Sequence, residues 1–160
     1  MSRTPIFALL ALGLALVPAA RGDDKADDAK GIALKVTAAG AALFDVRDAK
    51  GLALTYTDDA RLDMYQKESD GGPLKVENRT GRAEIQGYYE ELFKNDTAIH
   101  ARSSVDAARF LGDDLVEFAG VFEPNTEAAE PLKIPYHQIR IRQGDTWKVV
   151  LMQIFIIPKK

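Results

Sequence analysis

The chain has 160 residues, a length typical of a single domain. Hydrophobic residues make up 46% of it and charged residues 28%, which argues against a disordered chain, a collagen-like fibre and a coiled coil. The formal net charge of −3 leaves no basic excess to bind a phosphate backbone, so we expect no nucleic-acid partner.

Residues 1–20 predict a secretory signal peptide, with cleavage near Ala20. A short start containing Arg3 precedes a run of apolar and glycine residues at 6–17, and small residues follow it. This run is too short to cross a bilayer, which needs about 20 residues. We therefore expect the mature protein to be exported, either to the periplasm or out of the cell, without a stable membrane anchor.

Residues 21–31, RGDDKADDAKG, are small and charged, and we expect them to form a flexible acidic lead-in. The remaining residues, 32–160, are expected to form one domain, because no linker or internal repeat divides them. Cysteine is absent, which excludes disulfides, a thiol nucleophile and thiolate metal ligands. The stability of the domain must therefore come from its hydrophobic core.

Three helices are predicted in the first part of the domain. Apolar residues recur at steps of three and four over residues 32–48, which indicates an amphipathic helix. Asp48 is placed to cap a second, shorter helix that runs to about Tyr56. The third helix begins after Thr80 or Gly81, and its apolar face consists of Ile85, Tyr88, Tyr89, Leu92 and Phe93.

The strands are predicted in two groups. Two short extended runs lie between the second and third helices, and the pair Asp58-Asp59 before them is expected to form a turn rather than a site. Four longer runs follow the third helix, at residues 99–111, 115–123, 133–143 and 146–157. This order predicts an α+β fold, in which about three helices cover one face of an antiparallel sheet of two short and four long strands.

The tight Gly144-Asp145 turn fixes the register of the last hairpin and therefore the residues that share a face. One face is polar and aromatic, with the pairs Arg142–Trp147, Arg140–Val149, Gln138–Leu151 and Tyr136–Gln153. The other face is almost wholly aliphatic and includes Ile139, Val150 and Ile154. Because the helices can cover only one side of the sheet, we expect a second copy of the chain to cover the aliphatic side in a homodimer.

The preceding hairpin contains a candidate general base. Pairing Leu111 with Leu115 places Asp106 and His100 on the same face as three phenylalanines, Phe110, Phe118 and Phe122. Apolar walls would desolvate the Asp106 carboxylate and suit it to proton transfer. The alternative is a carboxylate at a strand end that is solvated or hydrogen-bonded to the backbone.

Four fragments, in this order and spacing, carry a resemblance to a known family. They are FDVRDA at 44–49, YTDDARL at 56–62, GRAEI at 81–85 and GDTWKV at 144–149. Over residues 32–158 the chain resembles the nuclear transport factor 2-like superfamily, in particular its bacterial SnoaL-like members. The resemblance implies a cone, in which a strongly bent antiparallel sheet wraps around the helices and leaves a pocket at its open end.

The resemblance also implies where the pocket lies. The tryptophan of the last hairpin usually points inward in such proteins, so the face of Trp147 would be concave. The aliphatic face would then be convex and available for dimerisation. The expected binding residues are Tyr136, Gln138, Arg140, Trp147, Gln153 and His100, with Phe155 beside them and Asp106 as the catalytic candidate.

Members of the superfamily include cyclases, isomerases, dehydratases, hydrolases and non-catalytic domains, so the fold does not settle the function. Our first interpretation is an exported domain that binds a small apolar or amphipathic molecule. One alternative is a cofactor-independent lyase, isomerase or hydrolase with Asp106 as base; another is a non-catalytic dimeric scaffold with a filled cone. We expect no cofactor. We also expect no metal, because His100 and His137 are assigned to opposite faces and neither has a histidine partner at helical or short range.

Overall fold

The computed structural model describes residues 22–69, 71–95, 100–125 and 132–157. The predicted signal peptide, residues 1–20, lies outside them. The described chain forms three helices and seven strands: α1 Gly22–Asp45, α2 Ala49–Leu54, β1 Tyr56–Gln66, β2 Lys75–Thr80, α3 Arg82–Asn95, β3 Arg102–Ser103, β4 Ala107–Gly112, β5 Leu115–Glu123, β6 Ile134–Gln143 and β7 Thr146–Ile156. This order confirms the predicted α+β class.

The strands form one curled, unclosed sheet around the helices, which gives the domain its cone-like shape. The strand order is β2-β1-β7-β6-β5-β3, and β4 also pairs with β5. Each pairing is antiparallel except that of β1 with β7, which is parallel, so the sheet is mixed rather than wholly antiparallel. Helix α1 packs against β3, β4 and β5, and α3 packs against β1 and β2.

Helix α1 begins at Gly22 rather than at residue 32, so the part of the expected lead-in that the structure describes is helical. Alanine is a strong helix former, and the alanines in the sequence of this segment favour its continuation into α1. The predicted stripe is also shifted, because Val46 is 73% exposed. The buried side of α1 consists of small residues and one ring: Ala29, Ala33, Thr37, Ala41 and Phe44.

The other two helices begin where the sequence predicted. Asp48 caps α2, and its Oδ1 accepts a hydrogen bond of 2.8 Å from the Gly51 N–H. Helix α3 follows Gly81, whose φ of 81° suits a residue without a side chain. At the same end, the Thr80 N–H donates to the Glu84 carboxylate over 2.9 Å.

The expected turn at Asp58-Asp59 is wrong. Strand β1 begins at Tyr56, so both aspartates lie within it, at an irregularity where the pairing with β7 shifts. Asp58 forms an ion pair of 2.8 Å with Arg82, the first residue of α3. The aspartate pair therefore lies at a contact between β1 and α3 instead of reversing the chain.

The predicted strand at 99–111 is broken into β3 and β4, which changes the residues that face inward. The N–H groups of Ser104 and Asp106 bond the carbonyls of Val121 and Ala119 over 2.9 Å each, and Val105 between them is buried. Asp106 consequently points outward. The prediction that inward and outward side chains alternate strictly along 99–111 is wrong, because the side that faces inward changes at this break.

The last hairpin follows the predicted register from the turn as far as the pair Arg140–Val149. Val150 is then unpaired in a β-bulge, and Leu151 pairs with Ile139. The pairs expected beyond this point are therefore wrong. Tyr136 lies opposite Ile154 instead of Gln153, and Ile154 moves from the expected convex face to the concave one.

Candidate ligand cavity

A cavity of about 310 Å³ lies between the concave face of the sheet and the three helices. Its wall is largely apolar. Each helix contributes to it, with Phe44 from α1, Leu52 from α2 and Leu92 from α3, and β7 contributes Met152 and Ile154. Apolar walls with a few polar groups are typical of small-molecule sites.

Three polar side chains of β6 face this cavity. Tyr136, Gln138 and Arg140 are alternate residues of one strand, so they project from the same face of the sheet. Their exposed fractions are only 4%, 5% and 5%. They are thus buried polar groups in a largely apolar wall.

Arg140 is held by neutral groups. Its Nε donates to Gln138 Oε1 over 2.9 Å and its Nη1 donates to the Trp147 carbonyl over 3.0 Å. The guanidinium carbon lies 5.8 Å from the centre of the Phe118 ring. Burial lowers the pKa of Arg140 to about 10, which still leaves the side chain cationic at neutral pH.

Three tyrosines lie close enough to this cation to interact with its charge: Tyr56 and Tyr136, which are buried, and Tyr89, which is half-buried. Tyr56 and Tyr89 share a hydrogen bond of 2.9 Å between their hydroxyls, and the Tyr136 hydroxyl donates to the Ser104 carbonyl over 2.7 Å. Burial raises the pKa of Tyr56 to about 12, and it raises the pKa values of Tyr89 and Tyr136 as well. The three phenols therefore remain neutral hydrogen-bond donors.

The other residues expected in the pocket lie outside the cavity wall. Trp147 is on the concave side but packs beside Phe110, and it offers Arg140 its carbonyl. Gln153 bonds His137 and Tyr65, over 3.2 and 3.3 Å. Phe155 stacks on Tyr65, with the ring centres 5.0 Å apart. The bulge at Val150 explains the difference for Gln153 and Phe155, because the side chains of β7 beyond it lie on the opposite face from the one predicted.

Asp106 and His100 also lie apart from the cavity. Both are exposed, and neither contributes to the cavity wall. The phenylalanine walls expected around Asp106 are not there, because the break between β3 and β4 turns Val105 inward in its place. The structure therefore does not bring this carboxylate together with Tyr136 or Arg140.

The register of the hairpins does not reveal the part of the wall that comes from other elements. Tyr56 at the start of β1 and Tyr89 on α3 line the cavity, as do the small residues Gly40 and Ala41 of α1. The helical spacing of Tyr89 with Ile85 predicted that this face of α3 is buried. The spacing does not indicate which other element the face packs against. In the described part of the chain, no group of three His, Asp or Glu residues could hold a metal ion.

No helix within the described ranges combines the length and the apolar character needed to cross a membrane. No protein-family model and no curated protein sequence matches the chain.

Solved structures do match the chain. A nuclear transport factor 2-like protein of unknown function from Pseudomonas putida has a TM-score of 0.62 at 15% identity, covering 82% of this chain and 88% of that one. A ketosteroid isomerase-like protein from Erwinia carotovora has a TM-score of 0.60 at 15% identity, covering 83% and 99%. A scytalone dehydratase-like protein from Novosphingobium aromaticivorans has a TM-score of 0.61 at 13% identity, covering 78% and 80%. At these identities the shared property is the architecture, and the chain has the nuclear transport factor 2-like, or cystatin-like, fold that its sequence resembles.

Proposed function

We propose that this domain binds a small molecule with an apolar body inside the cone. The observation that carries the proposal is the cavity of about 310 Å³ with its apolar wall. Protein interiors are packed as densely as organic crystals and leave few voids larger than a water molecule. A water molecule occupies about 30 Å³ in the liquid, so this cavity has room for a ligand.

Binding is favoured over the two alternatives by the residues of the wall. Small residues of α1, Gly40 and Ala41, border the open space, whereas a filled scaffold would need larger side chains there. No Asp, Glu or His is among the described residues that line the cavity, and Asp106 is exposed outside it. An acid–base catalyst that uses Asp106 therefore has no support from this geometry.

The proposal is tested by closing the cavity from one side. Ala41 is buried and lines the cavity, whereas its neighbour Ala42 is exposed on the same helix. Ala41→Phe would fill the space, and Ala42→Phe adds the same ring to the surface as the matched control. The probes are benzoate, 2-naphthoate and octanoate with the corresponding primary amides, titrated by ligand-observed NMR.

We expect at least one probe pair to bind the unaltered domain and the Ala42→Phe variant equally well. Ala41→Phe should weaken that binding at least ten-fold while the folded state persists, because the ring occupies the ligand's space. Binding of no probe to the unaltered domain would overturn the proposal. Unchanged binding in a folded Ala41→Phe variant would show that the ligand sits elsewhere.

A further inference from the structure

We propose that the ligand is an organic carboxylate whose anionic group binds Arg140, and this inference rests on the proposed function of the cavity. The inference specifies the charge of the ligand and names the residue that selects for this charge. The apolar wall alone predicts only a hydrophobic ligand. The argument comes from the one charged side chain among the described residues of that wall.

Arg140 is buried without a charged partner in the part of the chain that is described. Its two hydrogen-bond acceptors are an amide oxygen of Gln138 and the main-chain carbonyl of Trp147, both of which are neutral. Arginine is almost never fully buried unless it is paired, because removing a charge from water is unfavourable. A buried cation that faces a largely apolar cavity and has no charged partner among the described residues is suited to receive an anion from outside the chain.

A second arginine of β6, Arg142, is paired with a carboxylate of the chain itself. Arg142 lies two residues further along β6, at an exposed position. Its Nε and Nη2 contact the Asp114 carboxylate at 2.8 and 2.7 Å. Arg61 and Arg102 likewise pair with Asp63 and Glu123, at 2.6 Å each. Arg140 differs from these arginines in being buried and in lacking a carboxylate.

The guanidinium is also held in a fixed position with donors left over. It carries five N–H groups, and the described hydrogen bonds use Nε and Nη1 only. Gln138 and the Trp147 carbonyl orient the group, and the Phe118 ring lies beneath it. Such an oriented fork suits a planar carboxylate, which can accept two parallel hydrogen bonds.

A phenol supplies a further donor next to this cation. Tyr56 and Tyr89 both line the cavity and share a single hydrogen bond, so the hydroxyl hydrogen of one of them is not used in that bond. Burial keeps both phenols protonated well above neutral pH, as described above. A carboxylate beside Arg140 would thus find neutral donors around it, and no Asp or Glu is among the described residues that line the cavity.

The size of the cavity limits the rest of the ligand. Sites for small molecules span roughly 300–1,000 Å³, so 310 Å³ lies at the lower end of that range. A body of one or two rings, or a short alkyl chain, matches such a volume. The expected class is therefore a compact apolar carboxylic acid.

The test compares each acid of the probe panel with its own amide, which has nearly the same shape but no charge. In the unaltered domain, the acid should bind roughly ten- to a hundred-fold more tightly than the amide, as expected for a hydrogen-bonded charge. Arg140→Met should abolish this preference and leave amide binding near its original value. Arg142→Met removes an exposed, paired arginine from the same strand and should leave the preference intact.

The outcomes separate this inference from the proposed function. If no probe binds the unaltered domain, the proposed function fails and the inference fails with it. If amides bind as tightly as acids, the cavity binds ligands but the inference is wrong. Retention of the acid preference in Arg140→Met would also overturn it. The comparison of acid with amide in the unaltered domain decides the question even if Arg140→Met does not fold.

Discussion

The carbonyl oxygen of Ser104 lies so close to Gly120 that a Cβ on this glycine would be 1.9 Å from it. The same carbonyl accepts the hydrogen bond of the Tyr136 hydroxyl, which would itself be 3.0 Å from that Cβ. Gly120 therefore lets the break between β3 and β4 lie against β5. Because Tyr136 lines the cavity, this contact connects the edge of the sheet to the proposed site.

Gly120→Ala is expected to destabilise the domain by about 3 kcal/mol, since the Cβ would collide with main-chain atoms that cannot move away freely. Chemical denaturation measures this change. Gly87→Ala on α3 is the matched control, because a Cβ there meets no atom within 4 Å. That control should be neutral or stabilising by up to about 1 kcal/mol, as expected for alanine in a helix. Equal stability of the two variants would contradict the close contact.

Gln138→Glu is expected to weaken acid binding about ten-fold without weakening amide binding. The new carboxylate would lie where the amide oxygen now accepts from Arg140 Nε at 2.9 Å, so the chain would supply its own counter-charge. A ligand carboxylate would then meet a neutralised guanidinium and an added negative charge. Calorimetric titration with 2-naphthoate and 2-naphthamide measures both affinities. Unchanged affinity for the acid would argue that it does not bind next to Arg140.

Alkaline titration is expected to reveal three late-ionising phenols, Tyr56, Tyr89 and Tyr136. For Tyr56, burial raises the pKa from 10.0 to about 12. The unfolded chain loses this proton first, so the folded state binds more protons between these two values and its stability falls as the pH rises through them. The stability contributed by the buried phenol is fully present below pH 10.

Tyrosinate absorbance and circular dichroism, recorded together against pH, measure this behaviour. The three phenols should ionise only as the fold is lost, and Tyr136→Phe should reduce the number of late-ionising groups by one. Ionisation of all three near pH 10 in a chain that keeps its native dichroism would contradict their burial.

The sequence predicted the parts of the fold that are determined by local chemistry. The Gly144-Asp145 turn gave the correct register as far as Arg140–Val149, because a two-residue turn leaves the adjoining strands little freedom. Asp48 predicted the start of α2. Such a cap is a local feature, because the Gly51 N–H that donates to its carboxylate is only three residues away. That Tyr136, Gln138 and Arg140 share a face followed from the same reading of the hairpin, whereas the concave position of that face was implied by the family resemblance.

Features determined by distant neighbours could not be predicted in this way. Val150 is unpaired on both sides of β7, with β6 and with β1, and the local sequence Val-Val-Leu-Met contains no sign of a bulge. The outward turn of Asp106 depends on the close approach of Ser104 to Gly120 on another strand. The cavity itself requires α1, α2 and α3 to be placed over the sheet. The spacing of apolar residues within one element does not determine this placement.

The bulge at Val150 also determines which side chains of β7 form the cavity wall. Regular pairing from the Gly144-Asp145 turn would place Leu151, Gln153 and Phe155 on the concave face, whereas the bulge places Met152, Ile154 and Ile156 there. An in-frame deletion of Val150 would remove only the unpaired residue and would leave Leu151 opposite Ile139, so the same side chains would still line the cavity. Loss of this single codon would therefore shorten β7 without changing the interior chemistry in a descendant of this chain.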